Sequence, residues 1–176
     1  MRFECTDDEY RSLFLAPRHS KEPRENSSAT PYTRMPLMKW TQSVYQQILR
    51  EIGAKPPQLG GILLGPTGEL LATHFIFDET GRGSSASWTF GHHRINEILR
   101  EYVPRKLDMK GFVHSHPSGI TSLSAQDVND FRKPFSNDRN EDLTEVWAPI
   151  IVDGRTYPYL LYPNQPKPVL AQLVLM

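Results

Sequence analysis

The sequence predicts a single α/β domain whose mixed β-sheet is flanked by helices. Two segments have apolar residues at helical spacing, and several short apolar runs are bounded by turn signals. Helical and strand segments also alternate along the chain instead of forming separate blocks, which favours packed layers of both kinds. A chain of 176 residues is long enough for one such domain with a hydrophobic core.

The predicted domain covers residues 37–163. Before it, residues 16–36 are rich in proline, serine and charge, so residues 1–36 are predicted to be a partly flexible N-terminal extension. After it, residues 164–176 are assigned to a C-terminal tail, in which residues 168–176 form either a strand or a helix.

Two longer, amphipathic helices are predicted within the domain. Residues 41–52 place Val44, Ile48 and Ile52 four apart on one helix face, and Gly53 is a suitable end for that helix. Residues 93–103 have the same periodicity.

Strands account for most of the remaining elements. A hairpin is predicted from two apolar runs joined by a Pro-Thr-Gly turn, and a second turn is predicted at Asp153-Gly154. The predicted segments are strands at 56–65, 69–77, 109–117, 146–152 and 157–162, and a short helix at 124–132.

Composition narrows the functional classes. The 20 basic and 20 acidic residues balance, so there is no electrostatic reason to expect a nucleic acid or an anionic membrane as partner. The single cysteine excludes an internal disulfide and a cysteine-rich zinc site. No apolar run approaches the ~18 residues of a membrane span, and the N-terminus lacks a signal-peptide pattern. A cytoplasmic protein is therefore expected.

The most informative stretch runs from Gly111 to Asp127. His114 and His116 are two apart at the end of a predicted strand, so both imidazoles can face one metal ion. Pro117 ends the strand, and Asp127 at the start of the next helix can supply an oxygen ligand. Three protein ligands with one open position are typical of a catalytic zinc site. The sequence therefore predicts one Zn²⁺ per chain.

A simpler interpretation applies to each part alone. Ser124 and Asp127 also have the spacing of a helix cap. A His-x-His pair on a strand is often only two polar residues at the rim of a sheet. Together, however, His114, Ser115, His116 and Pro117, with Ser124 and Asp127 downstream, resemble the signature of the JAMM (MPN-plus, or JAB) zinc metalloproteases. Seven residues separate His116 from Ser124, and the whole signature spans 14 positions.

The resemblance covers about residues 37–163 and carries expectations for fold and function. It implies a cytidine-deaminase-like α/β fold and hydrolysis of a peptide or isopeptide bond at the C-terminal tail of a ubiquitin-like protein. It implies that His114, His116 and Asp127 bind the zinc, and that the Ser124 hydroxyl stabilises the oxyanion of the intermediate, where charge develops. The resemblance to short prokaryotic members of the family also implies a role in a ubiquitin-like conjugation system, with E1/E2-like enzymes as partners. Some of these systems serve antiviral defence.

One position departs from the family pattern. JAMM enzymes have a general-base glutamate before the apolar run of the first strand, and this chain has Gln58 there. Glutamine cannot accept a proton at neutral pH, and loss of a general base costs about 10²–10⁴-fold in rate. Glu69 is predicted to lie too far along the hairpin to replace this base. Glu51 could replace it only if the link at residues 55–57 folds back.

Two hypotheses for Gln58 stay open. Either Gln58 is an engineered substitution that traps an enzyme with its substrate, or the protein is naturally a weak enzyme or a non-catalytic module that binds a ubiquitin-like protein. The DNA-repair-associated relative with a similar loop is a further alternative, although no helix-hairpin-helix region is apparent. Trp88 and Ser115 are expected to contact the substrate, with Trp88 in a strand-like wall beside an extended tail.

Overall fold

The chain folds into a mixed β-sheet with helices on both of its faces. A computed structural model describes residues 35–53, 58–79, 82–83, 88–89, 92–136, 140 and 143–176. The α-helices in those ranges are α1 (Gln42–Ile52), α2 (His92–Tyr102) and α3 (Ala125–Arg132), and short 3-10 turns cover Val103–Arg105 and Lys133–Ser136. No helix of the described ranges is long and apolar enough to cross a membrane.

The strands of the described ranges fall into a large sheet, a small sheet and an isolated pair. The large sheet contains β2 (Gly60–Pro66), β4 (His74–Phe77), β7 (Leu107–Ser115), β8 (Val146–Trp147), β9 (Ile150–Val152), β10 (Arg155–Tyr157), β11 (Tyr159–Tyr162) and β12 (Gln165–Leu170). The small sheet contains β1 (Leu37–Trp40), β3 (Leu71–Ala72) and β13 (Gln172–Leu175), and the pair is β5 (Arg82–Gly83) with β6 (Trp88–Thr89).

Strand β7 is the centre of the large sheet. It pairs antiparallel with β2 on one side and parallel with β8 and β9 on the other. Strand β2 in turn pairs antiparallel with β4. This mixture of parallel and antiparallel neighbours, with helices outside, confirms the predicted α/β class with a mixed sheet.

The two faces of the sheet bury different helices. Alternate residues of a strand face opposite sides, and Leu63 and Val113 pack with Ile48 of α1 while Ile62 and Phe112 pack in a second cluster. That second cluster includes Ile98 and Leu99 of α2 and Phe131 of α3. The predicted apolar face of α1 is confirmed, since Val44, Ile48 and Ile52 are all buried.

Both predicted turns are present. Glu69 N–H donates to the Pro66 carbonyl across the Pro-Thr-Gly turn, where Gly68 has φ +80°. Asp153 and Gly154 both have positive φ, at 49° and 72°, as a tight β9–β10 hairpin turn requires.

Two segments differ from the sequence-based expectation. The second hairpin strand is divided, because β3 pairs with β1 while β4 pairs with β2. Residues 164–176, predicted as a tail, instead lie within the sheets: β12 pairs with β11, and β13 pairs with β1 from Leu37↔Gln172 to Trp40↔Leu175. The C-terminal residues are therefore part of the folded domain. Residues 1–34 of the predicted extension lie outside the described residues.

Candidate metal centre

The end of β7 carries the two candidate histidine ligands. His114 and His116 lie on the same face of the strand as Phe112, the face that α3 covers. Their backbone N–H groups donate to Pro149 and Ile151 on the neighbouring segment, at 3.4 Å and 2.8 Å. Both imidazoles are buried, with side-chain exposures of 0% and 3%. Backbone pairing thus fixes the position from which both rings project.

The first turn of α3 brings the third candidate ligand over this face. Ser124 is the N-cap of α3: the Asp127 N–H donates to Ser124 Oγ at 3.1 Å, and the Ser124 N–H donates to Asp127 Oδ2 at 2.7 Å. This capping box directs the Asp127 carboxylate to the two imidazoles. Oδ1 lies 3.5 Å from His114 Nε2, and Oδ2 lies 3.4 Å from His116 Nε2.

The donor atoms have the spacing of a metal-binding group. Ligand atoms of His114, His116 and Asp127 all lie within 4.8 Å of one another. Tetrahedral bonds of about 2.0–2.1 Å place two ligands roughly 3.3–3.4 Å apart, which is close to both histidine–aspartate distances. The two Nε2 atoms are nearer, at the hydrogen-bond distance of 2.8 Å. A buried His–His–Asp set with these spacings can bind a metal ion.

The protonation states of these residues favour metal binding. Burial lowers the pKa of His114, which keeps its imidazole neutral near pH 7. Burial alone would raise the pKa of Asp127, but hydrogen bonds from His114, His116 and Ser124 hold that pKa well below its usual range. A neutral imidazole and an ionised carboxylate are the forms that bind a metal.

Gln58 lies just before β2, the strand whose first residue pairs with His114. Gly60 pairs with His114 in the β2–β7 ladder, and the ladder continues through the Ser115 N–H, which donates to the Leu59 carbonyl at 2.7 Å. Gln58 precedes Leu59 by one residue, and the Leu59 N–H is held by the Ser115 hydroxyl. Gln58 is also buried, at 8% exposure. A contact of the Gln58 amide with the candidate metal site stays a prediction.

Neither of the other acids considered for proton transfer lies at the ligands. Glu69 is in the turn that follows Pro66, and Pro66 pairs with Leu107 at the opposite end of the β2–β7 ladder from His114. Leu64 pairs with His74 of β4, and Glu69 remains distant from position 58, as predicted. Glu51 accepts a hydrogen bond from Gln47, whose amide also donates to the Phe75 carbonyl of β4.

The two residues predicted to contact substrate, Ser115 and Trp88, both contact other residues of the protein. Ser115 Oγ accepts from the Leu59 N–H at 3.0 Å and donates to the Leu59 carbonyl at 3.3 Å, so it fastens the segment that carries Gln58. The Trp88 ring is 6% exposed and stacks on His114. Pairing of β6 with β5 agrees with the predicted strand-like wall, whereas a contact of Trp88 or Ser115 with substrate stays a prediction.

Several residues of this region were missed from the sequence. Phe131, four residues after Asp127 on the same face of α3, packs edge-on against His114; the i, i+4 spacing is the signal that could have revealed it. Asp78, buried at 2% exposure, donates its N–H to the Gly60 carbonyl and so lies one strand beyond Gly60 on the histidine face. Asp153 accepts a hydrogen bond from Ser118 and anchors the loop after Pro117; no local pattern indicates that contact.

Comparison with known proteins gives relatives in structure only. No family model matches the sequence, and no curated protein matches it. A solved structure of protein DSY2949 from Desulfitobacterium hafniense is similar at a TM-score of 0.59 and 15% identity, covering 80% of this chain and 92% of that one. A second is AF2198, a JAB1/MPN domain protein from Archaeoglobus fulgidus, with a TM-score of 0.46, 16% identity, and coverage of 81% and 99%.

The likeness to DSY2949 supports the fold and nothing finer. At such identities the similarity to DSY2949 shows a shared architecture, and at its lower TM-score the similarity to AF2198 carries no argument. The functional interpretation therefore depends on the residues of this chain.

Proposed function

We propose that this protein is a JAMM-type zinc hydrolase of a peptide or isopeptide bond whose turnover is impaired by Gln58. The observation that carries the proposal is the convergence of His114, His116 and Asp127 within 4.8 Å, in a chain whose sequence also resembles the JAMM signature. Histidine nitrogen and carboxylate oxygen are both suitable zinc ligands, and two histidines with one carboxylate leave a position open.

When bound, zinc lowers the pKa of a coordinated water toward about 7 and polarises a substrate carbonyl. The residues of the chain have separate tasks around it. His114, His116 and Asp127 hold the ion, and Phe131 and Trp88 exclude water from the His114 ring. Ser124 Oγ accepts the Asp127 N–H and still has its own proton, which it can donate to the developing oxyanion.

Gln58 is the residue that limits the reaction in this proposal. Its amide can donate or accept a hydrogen bond, but it does not take up a proton at neutral pH. A glutamate at the same position would hold the proton at Oε and transfer it to the leaving amine. The substrate class that the resemblance supports is a ubiquitin-like protein and its conjugates, with E1/E2-like enzymes of the same pathway, including antiviral pathways, as partners.

Gln58 also supports a second candidate function. A chain that keeps its metal ligands and lacks the base is suited to binding a ubiquitin-like tail without cleaving it. In that case His114, His116 and Asp127 would hold the metal, and affinity for the tail, not turnover, would be the functional property.

Replacing Gln58 with glutamate distinguishes the two functions. For an impaired hydrolase, Gln58→Glu should raise cleavage of a ubiquitin-like fusion by about 10²–10⁴-fold, since that is the usual contribution of a general base. The same change combined with His116→Ala should abolish the gain, which controls for contaminating proteases. Zinc-loaded Gln58→Glu with no gain in cleavage would contradict the hydrolase and favour the binding module.

A further inference from the structure

The imidazole of His114 is enclosed by two aromatic rings. The Trp88 indole stacks on it with ring centroids 5.7 Å apart and an interplanar angle of 13°. Phe131 of α3 meets it edge-on, with centroids 5.4 Å apart at 70°, and Phe131 itself stacks on Phe112 at 5.1 Å. One face of the His114 ring is therefore covered by an indole that comes from a different part of the chain.

A glycine makes room for that indole. Gly60 lies opposite His114 in the β2–β7 ladder. A Cβ at Gly60 would lie 2.7 Å from both Cε2 and Cζ2 of Trp88, and also 2.7 Å from the Val113 carbonyl oxygen. Real Cβ atoms essentially never approach so closely. The absence of a side chain at position 60 thus creates the slot in which Trp88 reaches His114.

The usual means of fixing a histidine ligand is not found for His114 among the described residues. Metal-binding histidines commonly donate their second ring N–H to a carboxylate or carbonyl, which sets the orientation of the ring. His114 Nδ1 is buried and has no hydrogen-bond partner in the part of the chain that the structure describes. Among the described residues, no hydrogen bond at Nδ1 therefore sets the rotation of this ring.

We propose that Trp88 is a positioning residue for the metal ligand His114. Seated over Gly60, its indole restricts rotation of the imidazole to the orientation in which Nε2 points at His116 and Asp127, and Phe131 limits the ring from its other side. This role deepens the proposed function, since it rests on a metal at the same site. It also assigns the buried face of Trp88 to the ligand and not to a substrate tail.

The test compares zinc affinities of folded variants by competition with a chelator. Loss of a residue that orients a ligand typically weakens metal affinity about 10–100-fold. Trp88→Leu, which keeps apolar volume without a flat ring, and Trp88→Ala should both weaken zinc by that factor. Trp88→Phe should restore most of the affinity, because a phenyl ring can still stack on the imidazole.

Trp40 supplies the matched control, because it is fully buried in the cluster on the other face of the sheet. Trp40→Phe should lower the melting temperature while zinc affinity stays unchanged. A second readout is quenching of tryptophan emission by Co²⁺: it should be strong in the unchanged protein, retained in Trp40→Phe, and largely lost in Trp88→Phe.

The outcomes separate this inference from the proposed function. Zinc affinity within threefold of the unchanged protein in folded Trp88→Leu would overturn the positioning role and leave the proposed function standing. Failure of the unchanged protein to bind zinc or Co²⁺ would overturn both.

Discussion

Ser124 and Asp127 cap one another at the start of α3. Each donates its backbone N–H to the side chain of the other, at 2.7 Å to Asp127 Oδ2 and 3.1 Å to Ser124 Oγ. The helix cap and the candidate metal ligand are consequently one arrangement: the contact that starts the helix also aims the Asp127 carboxylate at both imidazoles. The two interpretations of this Ser-x-x-Asp spacing are compatible.

Removing the Ser124 hydroxyl should therefore affect stability and metal binding together. Ser124→Ala is expected to lower the free energy of unfolding by about 0.5–2 kcal/mol through loss of the cap. It should also weaken zinc roughly 10–100-fold, because the carboxylate loses an orienting contact. Ser124→Thr keeps a hydroxyl cap and should stay near the unchanged protein on both measures. Urea unfolding and chelator competition test this, and a full stability loss with unchanged zinc affinity would show that the cap does not orient Asp127.

The features that the sequence predicts correctly are formed by residues that lie close together in the chain. His114 and His116 face one side because of strand alternation, and Asp127 follows on a helix whose cap lies three residues earlier. The apolar face of α1 was likewise readable from the spacing of Val44, Ile48 and Ile52. Each of these features depends only on residues within one or two turns or a single strand.

Contacts between distant parts of the chain could not be predicted. Pairing of Leu37 with Gln172 joins the two ends of the described domain, and nothing in either segment specifies the other. Residues 164–176 are predicted as a tail, yet within the described ranges β12 pairs with β11 alone, and proline, present at Pro166 and Pro168, is tolerated on such an edge strand. The position of Trp88 over Gly60 is equally non-local, and no local pattern predicts it.

Gly111 should tolerate no side chain, because β7 and β8 approach closely there. An alanine Cβ would lie 2.0 Å from the Trp147 carbonyl oxygen, a backbone atom that cannot move without disturbing the ladder. Gly111→Ala is expected to destabilise by roughly 3 kcal/mol, at the upper end of overpacking effects.

Gly119 is the matched comparison for Gly111. It has φ +80° but open space around the position of a Cβ, so Gly119→Ala should cost only about 1–2 kcal/mol from backbone strain. Thermal or urea unfolding ranks the two variants. Equal losses would indicate that backbone conformation, not the contact with Trp147, governs Gly111.

The burial of His114 predicts a pH dependence for the metal-free protein. Its folded pKa is lowered from the ordinary value of 6.5, so between that lower pKa and 6.5 the unfolded chain binds a proton that the folded chain does not. Stability should therefore fall as pH decreases below about 6.5, at up to ~1.4 kcal/mol per pH unit for this one proton. The low pKa of Asp127 acts only in a more acidic range, below its ordinary 3.8.

Urea unfolding with chelator present, from pH 4.5 to 7.5, measures this dependence. His114→Gln does not titrate and should flatten the slope between pH 4.5 and 6.5. His93→Gln, which removes a histidine whose side chain is 84% exposed and outside the ligand group, serves as the control for loss of a histidine. A slope that survives in His114→Gln would assign the pH dependence to other groups.

Zinc stoichiometry tests the central claim most directly. The protein should bind one zinc per chain after dialysis, as measured by elemental analysis, and His116→Ala should bind none while remaining folded. Gln58→Glu should still bind one, because position 58 is not among the predicted ligands. Zinc retained in folded His116→Ala, or no zinc in the unchanged protein, would contradict a metal centre at His114, His116 and Asp127.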